Sequence, residues 1–188
     1  MKRFDKYEKY GAYHWNAYQN NIEYRKHVDT IKKFFSTQKK GSLLDVGCGD
    51  GFISHVLGEM GFTVLGIDND ITAIRLAKSK TVMASFEINK IENINEKIDY
   101  ILISNVIEHV ENDKSLLTCA SVLAKTGTLV STITEDAGLP VDPYNVREYT
   151  DKSFSKLMTD IFKDVFVFSI DPMIYAWCKG CKTNGKEG

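Results

Sequence analysis

No apolar run in this chain is longer than a strand, which excludes a helix able to cross a bilayer. Neither charge is in excess. The 24 Lys and Arg balance 25 Asp and Glu to a formal net charge of −1. Acids and bases are interspersed, so neither a nucleic-acid face nor a membrane-binding face is expected. The N-terminus, Met1-Lys2-Arg3-Phe4-Asp5-Lys6, is charged where a secretory signal needs an apolar segment, so a cytoplasmic protein is expected. Cysteine is sparse, at Cys48, Cys119, Cys178 and Cys181. Cys48 sits in a glycine turn and Cys119 in a helical pattern, which gives no disulfide framework. Cys178-Lys179-Gly180-Cys181 has redox or zinc spacing, but it ends the last strand-like run instead of opening a helix. No second ligand pair accompanies it, so no metal site is expected there. There is no repeat and no low-complexity tract. At 188 residues the chain has room for one α/β core and not for two domains of ordinary size.

What is present is a glycine turn. Leu43-Leu44-Asp45-Val46-Gly47-Cys48-Gly49-Asp50-Gly51 is an apolar run ending in an acid, then three glycines at alternate positions. A helical pattern follows at once. The reading is a buried parallel strand, a tight turn and a helix N-terminus, where an α/β protein receives a nucleotide-like ligand. A dinucleotide fingerprint would need a third glycine where Phe52 stands, and the Asp45 carboxylate would repel a pyrophosphate. An adenosine with a cationic end suits the turn better. Nineteen positions after Gly49, Val64-Leu65-Gly66-Ile67-Asp68 is a second apolar run ending in an acid. Asp68 is placed to accept from both ribose hydroxyls, which only an ionised acid can do. It can alternatively cap the next helix with Asn69 and Asp70.

Strand-like and helix-like patterns alternate from Ser42. Tyr24, Val28, Ile31 and Phe35 mark an amphipathic helix before the first strand. After the turn, Phe52, Ile53, Val56, Leu57 and Met60 form a helical face that Gly61 closes. Thr63–Ile67 is expected as strand two, Ile71–Lys78 as its helix, Thr81–Ser85 as strand three and Tyr100–Ser104 as strand four. Leu116, Leu117, Ala120, Leu123 and Ala124 predict a helix closed by Gly127, and Thr128–Thr134 predicts strand five. An irregular stretch, Glu135–Thr150, carries Pro140 and Pro143. A helix marked by Phe154, Leu157, Met158, Ile161 and Phe162 comes next. Val165–Ile170 and Met173–Cys178 flank Asp171-Pro172, a connection so short that the two strands must be antiparallel. The expected organisation is an N-terminal aromatic flap and helix (1–40), a core (41–181) and a disordered tail (182–188).

The glycine turn resembles motif I of the class I S-adenosylmethionine-dependent methyltransferases. The resemblance extends over nearly the whole chain from Ser42 and is weakest in strand three. It implies a Rossmann-like, mostly parallel seven-stranded sheet of order 3-2-1-4-5-7-6, with a C-terminal antiparallel hairpin and helices on both faces. S-adenosylmethionine is the implied cofactor, with Asp45, Gly47, Cys48, Gly49, Gly51, Asp68, Asn69 and Asn105 as its binding residues. After strand four, Asn105-Val106-Ile107-Glu108-His109-Val110 resembles the Glu-His-Val signature of the branch with ubiquinone-biosynthesis, sugar and other small-molecule methyltransferases.

At the carboxyl end of strand four, His109 is the candidate general base, since imidazole takes a proton near neutral pH. Its alternative is a structural histidine bonding the loop backbone. Glu108 orients it or caps the following turn. Some relatives bind a divalent ion through Glu-x-x-Glu-His, but Asn105 replaces the first Glu, so no metal is expected. Two segments complete the acceptor pocket in this reading. One is the aromatic run with Tyr7, Tyr10, Tyr13, His14, Trp15 and Tyr18, either a flap over the cofactor or packing on the sheet edge. The other is Asp142–Thr150, where Tyr144 and Arg147 border the acceptor. Arg147 holds an anionic group or pairs with an acid. Tyr10, Tyr13, His14, Tyr144 and Arg147 are thus the candidate substrate contacts. The expected activity is methyl transfer to an oxygen or nitrogen of a small molecule, such as a sugar or an isoprenoid-type phenol. The alternatives are an RNA methyltransferase, disfavoured by the balanced charge, and a catalytically silent S-adenosylmethionine-binding module. Oligomeric state is not legible.

Overall fold

The computed structural model describes residues 4–139 and 142–182. It falls into two compact units, residues 1–93 and 94–188. The first opens with two short helices, α1 (Lys6–Tyr10) and α2 (Tyr13–Asn20), then α3 (Ile22–Ser36). Asn21 starts α3 by accepting from the amides of Glu23 and Tyr24, which satisfies two otherwise unpaired donors. Val28, Ile31 and Phe35 recur on one face and are fully buried. β1 (Ser42–Val46), β2 (Thr63–Asp68) and β3 (Ser85–Ile88) follow, all parallel, with α4 (Phe52–Glu59) and α5 (Ile71–Lys80) between them. Gly61 lies just beyond α4 at φ +90°, where a left-handed residue ends a helix without steric penalty.

Strand three departs from expectation. β3 begins at Ser85, where Thr81–Ser85 was expected. The Thr81 hydroxyl accepts from the Met83 amide at 2.9 Å and meets His55 Nδ1 at 2.9 Å. That local bond folds the backbone into a bend in place of a ladder. Val82 is consequently 96 % exposed despite its strand propensity.

The second unit contains β4 (Ile98–Ser104), α6 (Asp113–Leu123), β5 (Ala124–Ile133), α7 (Asp151–Ile161), β6 (Phe162–Ile170) and β7 (Met173–Cys181). β4 and β5 are parallel, and β7 is antiparallel to both β5 and β6. Thr150 and Ser153 form a reciprocal cap at the start of α7, whose Phe154, Leu157, Met158 and Ile161 are buried. Gly127 does not close α6, as the sequence suggested. α6 ends at Leu123 and passes directly into β5, which contains Gly127. A Cβ there would lie 2.5 Å from the Trp177 indole, so the glycine is kept for that ring. Cys178 and Cys181 both lie in β7. Both are free thiols. Burial pushes the Cys178 thiol up to about 12.

The strand order is β3-β2-β1-β4-β5-β7-β6, the Rossmann-like arrangement expected. Of the tail expected to be disordered, Lys182 donates its amide to the Ile161 carbonyl at 2.8 Å, and 183–188 lie outside the described residues. Pro140 also lies outside them. No described helix is long and apolar enough to cross a membrane.

Candidate active site

The glycine turn is tied to the end of β2. The amides of Gly47 and Cys48 both donate to the Ile67 carbonyl, at 2.8 and 3.1 Å. Asp68 accepts from the Gly49 amide (3.0 Å) and the Asp70 amide (2.9 Å). The cap of α5 is Asp70, which accepts from Thr72 and Ala73. Asp68 is thereby spared that task, and a carboxylate with two bonds made retains acceptor sites for further donors. Asn69 is exposed beside it. The Cys48 side chain points into a core cluster with Ile74, Ala77 and Phe86, so only its backbone faces the turn.

Gly49 has φ +56°, and a Cβ on it would stand 2.0 Å from the Tyr7 hydroxyl. The turn therefore demands glycine twice, for its left-handed backbone and for the tyrosine above it. Tyr7 belongs to the aromatic N-terminal run and is itself buried. It stacks on Tyr13, which contacts His14, which in turn stacks on Tyr24.

The anchor of this run is Asp50, a residue absent from the sequence-predicted site. Its buried carboxylate accepts from the His14 amide at 2.9 Å and from His14 Nδ1 at 3.1 Å. Its carbonyl accepts from the Trp15 indole at 3.1 Å. The available signal was an acid inside a glycine turn, but its partners lie 35 and 36 residues away. His14, expected as a substrate contact, thus commits one ring nitrogen to the fold. Tyr10 is 68 % exposed and is the open member of the cluster.

Electrostatics single out this turn. Burial pushes Asp45 up to about 7, opposed by the Ser54 hydroxyl donating at 2.6 Å and reinforced by the Asp68 charge. Asp68 is raised by burial, with the Asp70 and Gly49 amides opposing. The Cys48 thiol is raised by burial first, then by Asp45 and Asp68. Tyr7 is raised by burial, Tyr13 and then Asp50. Among the described residues no Lys or Arg pairs with Asp45, Asp50 or Asp68. Among the described residues, the turn is a buried acidic spot whose basic partner is His14, on Asp50, and no Lys or Arg.

In the second unit, Asn105 follows β4 at φ +54°, a conformation that asparagine tolerates better than most residues. Its buried Oδ1 accepts no hydrogen bond from the described residues. His109 Nδ1 lies 3.3 Å from the Tyr144 carbonyl. A carbonyl can only accept, so Nδ1 carries the proton and a neutral ring presents Nε2 as an acceptor. Glu108 is buried and its carbonyl receives the Val146 amide at 2.8 Å.

Arg147 is a strut of this loop. Its guanidinium donates to the carbonyls of Ile107 (3.1 Å), Val110 (2.5 Å) and Glu111 (2.6 Å), and it faces Asp113 at 3.4 Å. Tyr149 donates to the same Asp113 at 2.6 Å. Asp113 and Tyr149 were not anticipated, because their role depends on contacts across 36 residues. Among the described residues no group of three His, Cys, Asp or Glu is placed to hold a metal ion.

A family model described as a methyltransferase domain matches residues 18–163. The ubiquinone biosynthesis O-methyltransferase of Brucella ovis is 31 % identical over 94 residues, 46 % of this chain and 38 % of its own length. That of Rickettsia canadensis is 33 % identical over 125 residues, 59 % of this chain and 53 % of its own. The chain thus matches about half or less of these relatives' length. The magnesium protoporphyrin IX methyltransferase of Synechocystis, solved with bound SAH, superposes with a TM-score of 0.68 at 18 % identity, over 93 % of this chain and 97 % of that one. A Pyrococcus horikoshii protein gives 0.68 at 21 % identity, over 87 % and 93 %. With the family model matching most of its length, the glycine turn and the strand order agree: the chain belongs to the methyltransferase domain family and has the fold of the class I S-adenosylmethionine-dependent methyltransferases.

Proposed function

We propose that this chain transfers the methyl group of S-adenosylmethionine to an oxygen of a small molecule, with a phenol of the isoprenoid-quinone type as the leading class and a nitrogen or a sugar hydroxyl as the next. The observation that carries the cofactor reading is the buried acidic turn. Three carboxylates without a Lys or Arg partner suit a ligand bearing a sulfonium and an ammonium and would repel a pyrophosphate. When bound, the cofactor supplies an electrophilic methyl on a positively charged sulfur. The phenol preference rests on the names of the two relatives above.

Asp68 accepts from the ribose hydroxyls with the lone pairs its two amide bonds leave over. Gly47 and Gly49 let the ligand approach the backbone, and the orphan Asn105 oxygen takes a ligand donor. His109 Nε2 receives the acceptor proton, with Glu108, Tyr149 and Arg147 fixing its loop. Tyr10, Tyr13 and Tyr144 contact the acceptor. Methyl transfer is an in-line displacement, so holding the acceptor lone pair along the S–CH3 axis contributes up to ~7–11 kcal/mol.

The test joins calorimetry to an acceptor screen read by S-adenosylhomocysteine release. Asp68→Ala should weaken cofactor binding by about 1–3 kcal/mol, and His109→Gln should slow turnover while leaving binding intact. Wild-type protein that binds no S-adenosylmethionine, or binds NAD more tightly, would overturn the reading. Methylation of RNA but of no small acceptor would replace the substrate class.

A further inference from the structure

We propose that β6 is the seam of a homodimer, in which it pairs antiparallel with β6 of a second copy about a two-fold axis at Phe166. β6 ends the strand order, so among the described residues one side of its nine residues has no strand beside it. Its register with β7 runs without a bulge from Phe162↔Cys181 to Ile170↔Met173. Edge strands are ordinarily kept from pairing by shortness, proline, bulges or charges along their length. The opposite edge, β3, uses shortness, with four residues. β6 uses none of these beyond Lys163 and Asp164 near its start, for Val165-Phe166-Val167-Phe168-Ser169-Ile170 contains no charge, proline or glycine. Phe166 is 65 % exposed and Ile170 42 %. A groove of about 280 Å³ lined by Asp164, Val165, Phe166, Trp177 and Lys179 lies over the paired β6 and β7 and leaves Phe166 open.

The occupant is a second copy because the strand complements itself. About an axis at Phe166, that ring faces the partner's Phe166 and Val165 faces the partner's Val167. These aromatic and β-branched pairs are the ones that stabilise neighbouring strands. Lys163 then faces the partner's Ser169. Within each copy the Ser169 hydroxyl donates to the Asp151 carboxylate at 3.1 Å. The pairing therefore brings Lys163, which makes no ion pair among the described residues, to the partner's Asp151, twice by symmetry. No two like charges oppose each other.

Sedimentation velocity across a concentration series should give twice the 21.3 kDa chain mass. Phe166→Lys should raise the dimer dissociation constant by about tenfold or more, with far-UV circular dichroism unchanged. Lys163→Asp should weaken the dimer, and adding Asp151→Lys should restore it. As a check that does not rely on weakening, Phe166→Cys should crosslink to itself under diamide far faster than Ser169→Cys, since only the former faces its own copy. A wild-type chain that stays monomeric at every concentration overturns the proposal. So does a dimer indifferent to Phe166→Lys, or equal crosslinking at both positions.

Discussion

Replacing Asp45 with asparagine should stabilise the protein, and by an amount that grows with pH. In the unfolded chain this carboxyl loses its proton near its ordinary value of 3.8, whereas in the folded protein burial holds the proton until about 7. Between those values the folded state binds the extra proton, so stability falls as pH rises, beginning near pH 4 and levelling off above pH 7. At ~1.4 kcal/mol per pH unit, the full penalty is about 4 kcal/mol at pH 8. Less than half of it is present at pH 5. Asparagine keeps the side chain's shape and an oxygen for the Ser54 hydroxyl but does not ionise. The stability difference between variant and wild type should therefore widen by roughly 3 kcal/mol from pH 5 to pH 8. Urea denaturation at a series of pH values measures it directly, and groups that titrate alike in both proteins cancel. A difference that does not change with pH would mean that Asp45 is ionised throughout, and the account of the turn as an acidic spot under strain would fail.

Gly49→Ala should cost about 1–2 kcal/mol for the left-handed backbone, plus the collision of its Cβ with the Tyr7 hydroxyl. Tyr7→Ala should relieve only the second part, giving a coupling of roughly 0.5–3 kcal/mol in a double-mutant cycle; strict additivity would show that Tyr7 does not rest on the turn in solution. Arg147→Ala should lower kcat more than it raises KM, because it removes the donor to three carbonyls of the His109 loop. A pure KM effect would restore the anionic-acceptor role, and Arg147→Lys should rescue poorly because an ammonium lacks the planar fork.

The parts of this molecule legible in its sequence are those whose cause is local. The β1 run, the glycine turn and the helix after it follow from adjacent residues. So does the antiparallel pairing of β6 and β7, since nothing longer than a turn joins them. Strand three was misplaced because a single hydroxyl, Thr81, captured the Met83 amide and diverted an apolar run into a bend. Gly127 was misassigned because its purpose is a ring fifty residues further along. Of the site, the acids Asp45 and Asp68 and the histidine after β4 were legible from their positions at strand ends. Asp50 was not. Its function is to receive His14 and Trp15, and no spacing rule links an acid to partners so far upstream. Of the two roles open to Arg147, the pairing with an acid is met by Asp113, while the three carbonyls it also serves left no mark in the sequence.

Buried acids with no basic partner destabilise a fold, so the retention of Asp45 and Asp68 at one turn asks for a compensating gain. A cation bound there would supply it, and the two forms of the cofactor differ in that respect. S-adenosylmethionine carries a sulfonium, whereas S-adenosylhomocysteine carries a neutral thioether; both keep the same ribose, amine and carboxylate. Ionised Asp45 therefore favours the first over the second, and protonated Asp45 does not. Because Asp45 changes state near pH 7 in the folded protein, preference for S-adenosylmethionine over S-adenosylhomocysteine should rise from pH 6 to pH 8, aiding release of the spent cofactor on the alkaline side. Calorimetric titration of each ligand across that range gives the ratio, in which pH effects common to both ligands cancel. In Asp45→Asn the ratio should be flat. A wild-type ratio equally flat would mean that Asp45 shapes the turn without sensing the sulfonium charge.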